Sequence, residues 1–177
     1  APLGVFCLIA GTITAVSGDD PSDVFELLSA LGFYCFTVVL GMTIHTVVIY
    51  PLMLRLFTPI RIRDFFASIL PAQLVAFSTS SSAATLPVTM KHVHKNIGVS
   101  DEVASFVLPL GATINMDGTA LYQAVAAVFI AQTLGIPLDV GAQATIVFTA
   151  LLGSIGTAAV PSAGIVMLVV VLESVGV

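Results

Sequence analysis

Asp117 is the residue whose type and position point most directly to chemistry. It is the only formal charge between Glu102 and Asp139, and it lies inside Gly111-Ala112-Thr113-Ile114-Asn115-Met116-Asp117-Gly118-Thr119, midway along the run Val103–Leu134. A lone carboxylate at the centre of a bilayer costs roughly 2.5–3.5 kcal/mol on insertion scales unless a partner or a wet cavity receives it. No Lys or Arg falls near that depth in the threading argued below. The expected partner is therefore a mobile cation such as Na⁺, a proton, or a residue beyond this chain. Gly111 and Gly118 loosen the helix around Asn115 and Asp117, and unwinding frees backbone carbonyls. Carboxylate, amide and carbonyl oxygens in an irregular shell suit a hard monovalent cation. Thr113 and Thr119 can add hydroxyls to ion or substrate, whereas Met116, a soft thioether, reads as a packing residue.

Two more interruptions complement this one. Ser78-Thr79-Ser80-Ser81-Ser82-Ala83-Ala84-Thr85-Leu86-Pro87 is too polar for a lipid-facing helix centre, and Pro87 biases Leu86 away from the helical region. Ser154-Ile155-Gly156-Thr157-Ala158-Ala159-Val160-Pro161-Ser162-Ala163-Gly164 breaks the last apolar run in the same way. Ser81, Ser82 and the amides of the second tip offer N–H and O–H donors, and helix N-termini aimed into a tip favour carboxylates. Gly156 and Gly164 are candidate hinges of a gate. His45, His92 and His94 form no metal-like constellation, and the last two read as solvated loop residues. Cys7 and Cys35 sit in apolar runs without redox or metal spacing and read as small packing residues.

The elements that must position these residues follow from composition. The 177 residues are 58% hydrophobic and 8% charged, with a mean hydropathy of +1.11. A soluble domain carries about 25% charged residues to cover its surface. Here the charges are clustered, and between the clusters lie uncharged runs of more than twenty residues. A bilayer core of about 30 Å needs roughly 20 helical residues, so these runs can span. The net charge of −5 comes with no basic patch, which excludes a nucleic-acid partner. The chain opens Ala1-Pro2-Leu3-Gly4 without a signal-peptide pattern and closes just after the apolar run Ile165–Leu172, so it reads as truncated at both ends.

The expected segments are the end of a spanning helix at 1–16, a spanning helix at 21–57, a hairpin at 59–97 with its tip at 78–87, a spanning helix at 101–134 broken at 111–119, and a hairpin at 139–174 with its tip at 154–164. Asp20 is the expected cap and Pro21 the first residue of the second of these. Short basic loops prefer the cytoplasmic side. Arg55, Arg61 and Arg63 form one such loop, and Lys91 and Lys95 the next. Both fall inside only if the intervening segment enters, turns at the serines and returns. The second hairpin then enters from outside, and the acidic loop Asp19–Glu26 is also outside. Each tip has a serine seven residues before a proline, Ser80 with Pro87 and Ser154 with Pro161. Two re-entrant hairpins of opposite orientation around an unwound helix are how transporters build a midplane site. The fold class is an all-α membrane protein, a fragment of a transport core, and the activity expected is transport rather than catalysis. An ion channel is the rival that two polar re-entrant loops also suit, and a non-transporting membrane scaffold is a third reading.

At Thr79–Thr89, Leu108–Thr119 and Ser154–Pro161 the sequence closely resembles the glutamate/aspartate transporter family, the dicarboxylate/amino acid:cation symporters. The resemblance extends over almost all of the chain. It implies an elevator-type transport domain working within a homotrimer in a multi-pass cell membrane, with a bacterial inner membrane as the setting and the second hairpin as outer gate. It also implies sodium-coupled symport of a small substrate bearing a carboxylate, glutamate or aspartate. Ser81 and Ser82, Thr119, Val160 and Gly164 would contact substrate. Gly111 and Asn115 would contribute to one sodium site. Thr113, Met116, Ser154, Ile155 and Thr157 would frame a second, mostly through backbone oxygens, and Asn115 with Asp117 would serve a third. Ser80 stands where some members carry arginine, and the helix bearing the substrate-binding arginine of others is not in this sequence. C4-dicarboxylate or neutral amino acid substrates, and H⁺ as the coupling ion, therefore remain alternatives.

Overall fold

The computed structural model describes Cys7, Ala10, Gly11, residues 21–157 and residues 163–177. The expected cap Asp20 lies outside the described residues. Among the described residues there is no strand, and the chain folds as helices joined by short turns. Helix α1 (Pro21–Ile44) passes through one π turn (His45–Ile49) into α2 (Tyr50–Phe57). Then come α3 (Ile62–Thr79) and α4 (Ser82–His92), a second π turn (Val93–Ile97), α5 (Asp101–Ile114), α6 (Asp117–Thr133), α7 (Val140–Ile155) and α8 (Ala163–Glu173). The chain divides into residues 1–40 and residues 41–177, and the core and the candidate site described below belong to the second unit.

Local chemistry sets most of the boundaries. Ser100 accepts from the N–H of Val103 at 3.4 Å and Asp101 and Glu102 occupy the first turn of α5, where the helix dipole favours negative charge. Asp139 Oδ1 accepts from Ala142 N–H at 2.7 Å and starts α7, and Ser81 Oγ accepts from Ala84 N–H at 3.3 Å and starts α4. Gly98 and Gly135 take positive φ, 83° and 69°, where the chain must turn.

The first expected tip is much narrower than its polar composition suggests. The break is confined to Ser80 and Ser81, and Pro87 lies inside α4 with Leu86 helical before it. The bias of a residue before proline is outweighed here by the packing of α4 against α3 and α5. Pro71 and Pro109 are likewise carried within α3 and α5. Ser80 makes the turn in the left-handed region, with φ 49° and ψ 32°. An L-residue bears about 1–2 kcal/mol in that conformation, and a β-branched one more. Ser80→Val should therefore lower the thermal unfolding midpoint measured in detergent by several degrees, while Ser80→Gly leaves it near the starting value.

Packing is by small residues. Ala127 of α6, Ile146 and Ala150 of α7 and Val171 of α8 form one buried cluster, with Leu138, Leu168 and Leu172 against it. Alanines let helix axes approach closely, which is how helices associate when no water drives them together. The outer surface is apolar: Phe77 is 90% exposed and Val140 83%, among many large hydrophobic side chains. Such a surface suits lipid or protein neighbours and not water. The helical stretches Val24–Phe57 and Asp101–Thr133 are long and apolar enough to cross a membrane. Cys7 and Cys35 of the first unit, expected to be packing residues, are exposed, since a residue in an apolar run need not face the protein's own core.

Candidate functional site

The helix that runs from Asp101 to Thr133 is interrupted for only two residues. Asn115 (φ −93°, ψ 73°) and Met116 (φ −109°, ψ 56°) leave helical geometry, while Gly111 and Gly118 remain inside α5 and α6. The expected break at 111–119 is thus narrowed to its centre. A continuous helix would cap the carbonyls of Ala112 and Asn115 with the N–H groups of Met116 and Thr119. Instead Thr119 N–H turns to the Met116 carbonyl at 3.0 Å, joined there by Ala120 N–H at 3.1 Å. The carbonyls of Ala112 and Asn115 accept no backbone hydrogen bond among the described residues. With the Thr113 and Ile114 carbonyls, which likewise accept none, these are hard oxygens in the same stretch of chain as an amide and a carboxylate. Met116 Sδ lies 4.0 Å from Thr119 Oγ1.

Asp117 has partners within the chain, and the sequence reading missed them. Its Oδ2 accepts from His45 Nε2 at 3.2 Å and from Tyr50 Oη at 3.4 Å. Neither is a permanent cation, so the carboxylate is not locked to a lysine or arginine. His45 had no neighbouring histidine or cysteine to mark it, and 72 residues separate it from Asp117. The one local signal was Pro51. Its ring offers no N–H and crowds the carbonyl of Val47, which favours a π turn at this place.

A cavity of about 290 Å³ lies between α4 and α5 and is lined in part by Ser82, Thr85, Gly111 and Asn115. It brings one expected substrate residue, Ser82, to the same space as two expected sodium residues. The N–H groups of Ser82 and Ala83 at the start of α4 carry no hydrogen bond among the described residues, so this helix end presents donors. Ser81 contributes as the cap rather than as a free hydroxyl.

The second tip is reached from α6. A Cβ on Gly164 would lie 3.1 Å from Thr119 Cγ2 and 2.8 Å from Tyr122 Oη, so α8 starts in direct contact with the face of α6 that carries Thr119. Gln123, fully buried, donates from Nε2 to the Gly164 carbonyl at 2.9 Å, and no partner reaches its Oε1 among the described residues. Gln123 is a further residue that sequence reading did not single out. Gln123→Leu should quicken amide exchange over residues 163–167 by about tenfold, the effect of losing a bond of roughly 1.4 kcal/mol. Unchanged exchange there would show that the amide does not hold α8.

The other candidates are placed unevenly. Ser154 is buried and donates to the Leu151 carbonyl at 2.8 Å, and Thr157 is buried and donates to the Gly153 carbonyl at 2.8 Å. Ile155 is exposed. Thr113 is exposed too, its hydroxyl spent on the Leu110 carbonyl at 3.0 Å, so that side chain does not join the cavity. Val160 lies outside the described residues. His92, half-buried, ends α4, and His94, exposed, lies in the second π turn, where its Nδ1 is 3.1 Å from Asp101 Oδ1 and 2.9 Å from the Val99 carbonyl. Among the described residues no three His, Cys, Asp or Glu side chains gather to hold a metal. The oxygens on offer around Asp117 are of the backbone, amide and carboxylate kind.

A family model described as the sodium:dicarboxylate symporter family matches residues 1–177. Excitatory amino acid transporter 2 of Homo sapiens is 47% identical over 176 residues, which cover 99% of this chain and 30% of that protein. Excitatory amino acid transporter 5 of Mus musculus is 50% identical over 175 residues, with 99% and 30% covered. Excitatory amino acid transporter 1 of Bos taurus is 47% identical over 176 residues, with 99% and 32% covered. The chain spans about a third of the length of these curated relatives.

Proposed function

Because the chain belongs to the sodium:dicarboxylate symporter family, we propose that it forms the ion- and substrate-binding core of a sodium-coupled symporter for glutamate or aspartate. The observation that carries this reading is the two-residue break at Asn115–Met116. It frees carbonyls of Ala112 and Asn115, two residues that line a cavity together with Ser82, and Asp117 follows the break directly in the chain. The relatives are named for excitatory amino acids and the family for dicarboxylates, and the unpaired N–H groups at the start of α4 supply what a carboxylate needs.

In this proposal one Na⁺ is taken up by the oxygens of Gly111 and Asn115, a second mostly by backbone oxygens of Thr113, Met116, Ser154, Ile155 and Thr157, and a third by Asn115 and Asp117. Substrate is held by Ser81, Ser82, Thr119, Val160 and Gly164. The helical pairs α3–α4 and α7–α8 are the two re-entrant hairpins, entering from opposite faces. The basic residues Arg55, Arg61, Arg63, Lys91 and Lys95 stay together on the cytoplasmic side. Coupling arises when ions and substrate complete the space against which α7–α8 closes, so that the loaded domain alone moves as an elevator within a trimer. The setting is a cell membrane. The relatives named above are from animals and lend no support to a bacterial inner membrane.

Uptake of labelled glutamate and aspartate by the full-length protein in proteoliposomes, with sodium replaced by choline at two pH values, tests the reading. Saturable uptake that needs sodium at both pH values is the expected result. Uptake that follows a pH gradient without sodium would replace it with proton coupling, and flux that does not saturate would replace it with a channel.

A further inference from the structure

The three side chains His45, Tyr50 and Asp117 form a unit that depends on an irregularity in the helix. Residues five apart on an α-helix point about 140° away from each other. The π turn at His45–Ile49, closed by the N–H of Tyr50 on the carbonyl of His45, brings residues 45 and 50 onto one face. Their rings meet edge to face with centroids 4.7 Å apart, and both polar ends go to the same oxygen, Oδ2 of Asp117, at 3.2 and 3.4 Å. A carboxylate oxygen only accepts, so the hydrogen of the imidazole contact sits on Nε2. The other oxygen, Oδ1, receives no hydrogen bond among the described residues, and the carboxylate is one residue away from the helix break. Two donors on one oxygen fix the plane of a carboxylate and leave the second oxygen to be presented.

We infer that His45 and Tyr50 are positioning residues for the proposed sodium site, holding Oδ2 of Asp117 through the π turn so that Oδ1 is the oxygen offered to the cation. This rests on the sodium-coupled reading above. Neither side chain touches the ion, and each acts through Asp117. Without the clamp the carboxylate turns freely, and the cost of fixing it falls on ion binding. The effect belongs in the sodium dependence of transport more than in its maximal rate.

The test uses the full-length protein in proteoliposomes, with sodium as the varied ligand and Tyr50→Phe, His45→Leu and His45→Gln as variants. Tyr50→Phe keeps the ring and its contact with His45 and removes one donor. It should raise the half-saturating sodium concentration about three- to tenfold, the range for one ordinary hydrogen bond, here long at 3.4 Å, with a smaller change in maximal uptake. His45→Leu should raise it further, and His45→Gln, whose amide can donate from a similar position, should recover most of that loss. An unchanged half-saturating sodium concentration in Tyr50→Phe, or reduced maximal uptake alone in all three variants, would overturn the inference and leave sodium coupling standing. If uptake by the unmodified protein is indifferent to choline replacement, the sodium reading falls and this inference falls with it.

Discussion

Asp117→Asn in the full-length protein abolishes sodium-stimulated uptake while the protein still folds and inserts. Asparagine has nearly the same shape, and its carbonyl oxygen can still accept from His45 and Tyr50, so the clamp and the local packing survive. What disappears is the full negative charge beside the carbonyls freed at Ala112 and Asn115. The Asp117 side chain is 35% exposed in this chain, so the attraction is weaker than for a fully enclosed pair. Even so, loss of the one formal charge in the site should weaken sodium affinity by about 100-fold or more, equivalent to about 2.7 kcal/mol. The measurement is uptake against sodium concentration, with the variant's thermal midpoint as the control for folding. Wild-type sodium dependence in a folded Asp117→Asn protein would remove Asp117 from the ion site. Asp117→Ala is the less informative change, because it also strips two donors of their acceptor.

Gly164→Ala should be nearly as damaging, for a steric reason. The added Cβ would stand 2.8 Å from Tyr122 Oη and 3.1 Å from both Tyr122 Cε1 and Thr119 Cγ2. The Tyr122 hydroxyl is buried, so the stiff ring has little room to retreat, and α8 itself must shift. The shift also pulls the Gly164 carbonyl off Gln123 Nε2. Overpacking of this kind costs about 1–3 kcal/mol, so uptake should fall roughly ten- to a hundredfold if closure of α7–α8 against α6 is the step that loads the transporter. A double variant supplies the check. Tyr122→Phe removes Oη, the nearest obstacle, and should restore part of the activity lost by Gly164→Ala beyond what the two single changes predict when added. Full activity of Gly164→Ala would show that this close approach is not needed for transport.

The sequence was most informative where structure is decided between neighbours. Ser81, Ser100 and Asp139 each start a helix by a bond to the N–H three residues on, a relation contained in a four-residue window. The interruption around Asp117 could be placed because glycine, asparagine and aspartate all weaken a helix locally, and a charge in a long apolar run has to be explained. Candidate spans could be proposed because hydrocarbon tolerates few charges over about 20 residues. Where several local preferences competed, the outcome was less legible. Leu86 before Pro87 and the polar residues on either side of the Ser80–Ser81 break stayed helical, since once backbone bonds must be satisfied within the chain a helix is the cheapest solution and packing decides how few residues escape it.

The amino-acid order by itself therefore determined that this is an all-α membrane chain with small-residue breaks and one carboxylate in need of company. Tertiary structure alone decided what that company is. His45 and Tyr50 reach Asp117 from 72 and 67 residues away, through a change of helical register that rotates two side chains onto one face. Gln123 reaches Gly164 across 41 residues through the packing of α6 against α8. Contacts of this kind depend on where helix axes come to rest, and that is set by the fit of many apolar surfaces together, which no short window of residues contains.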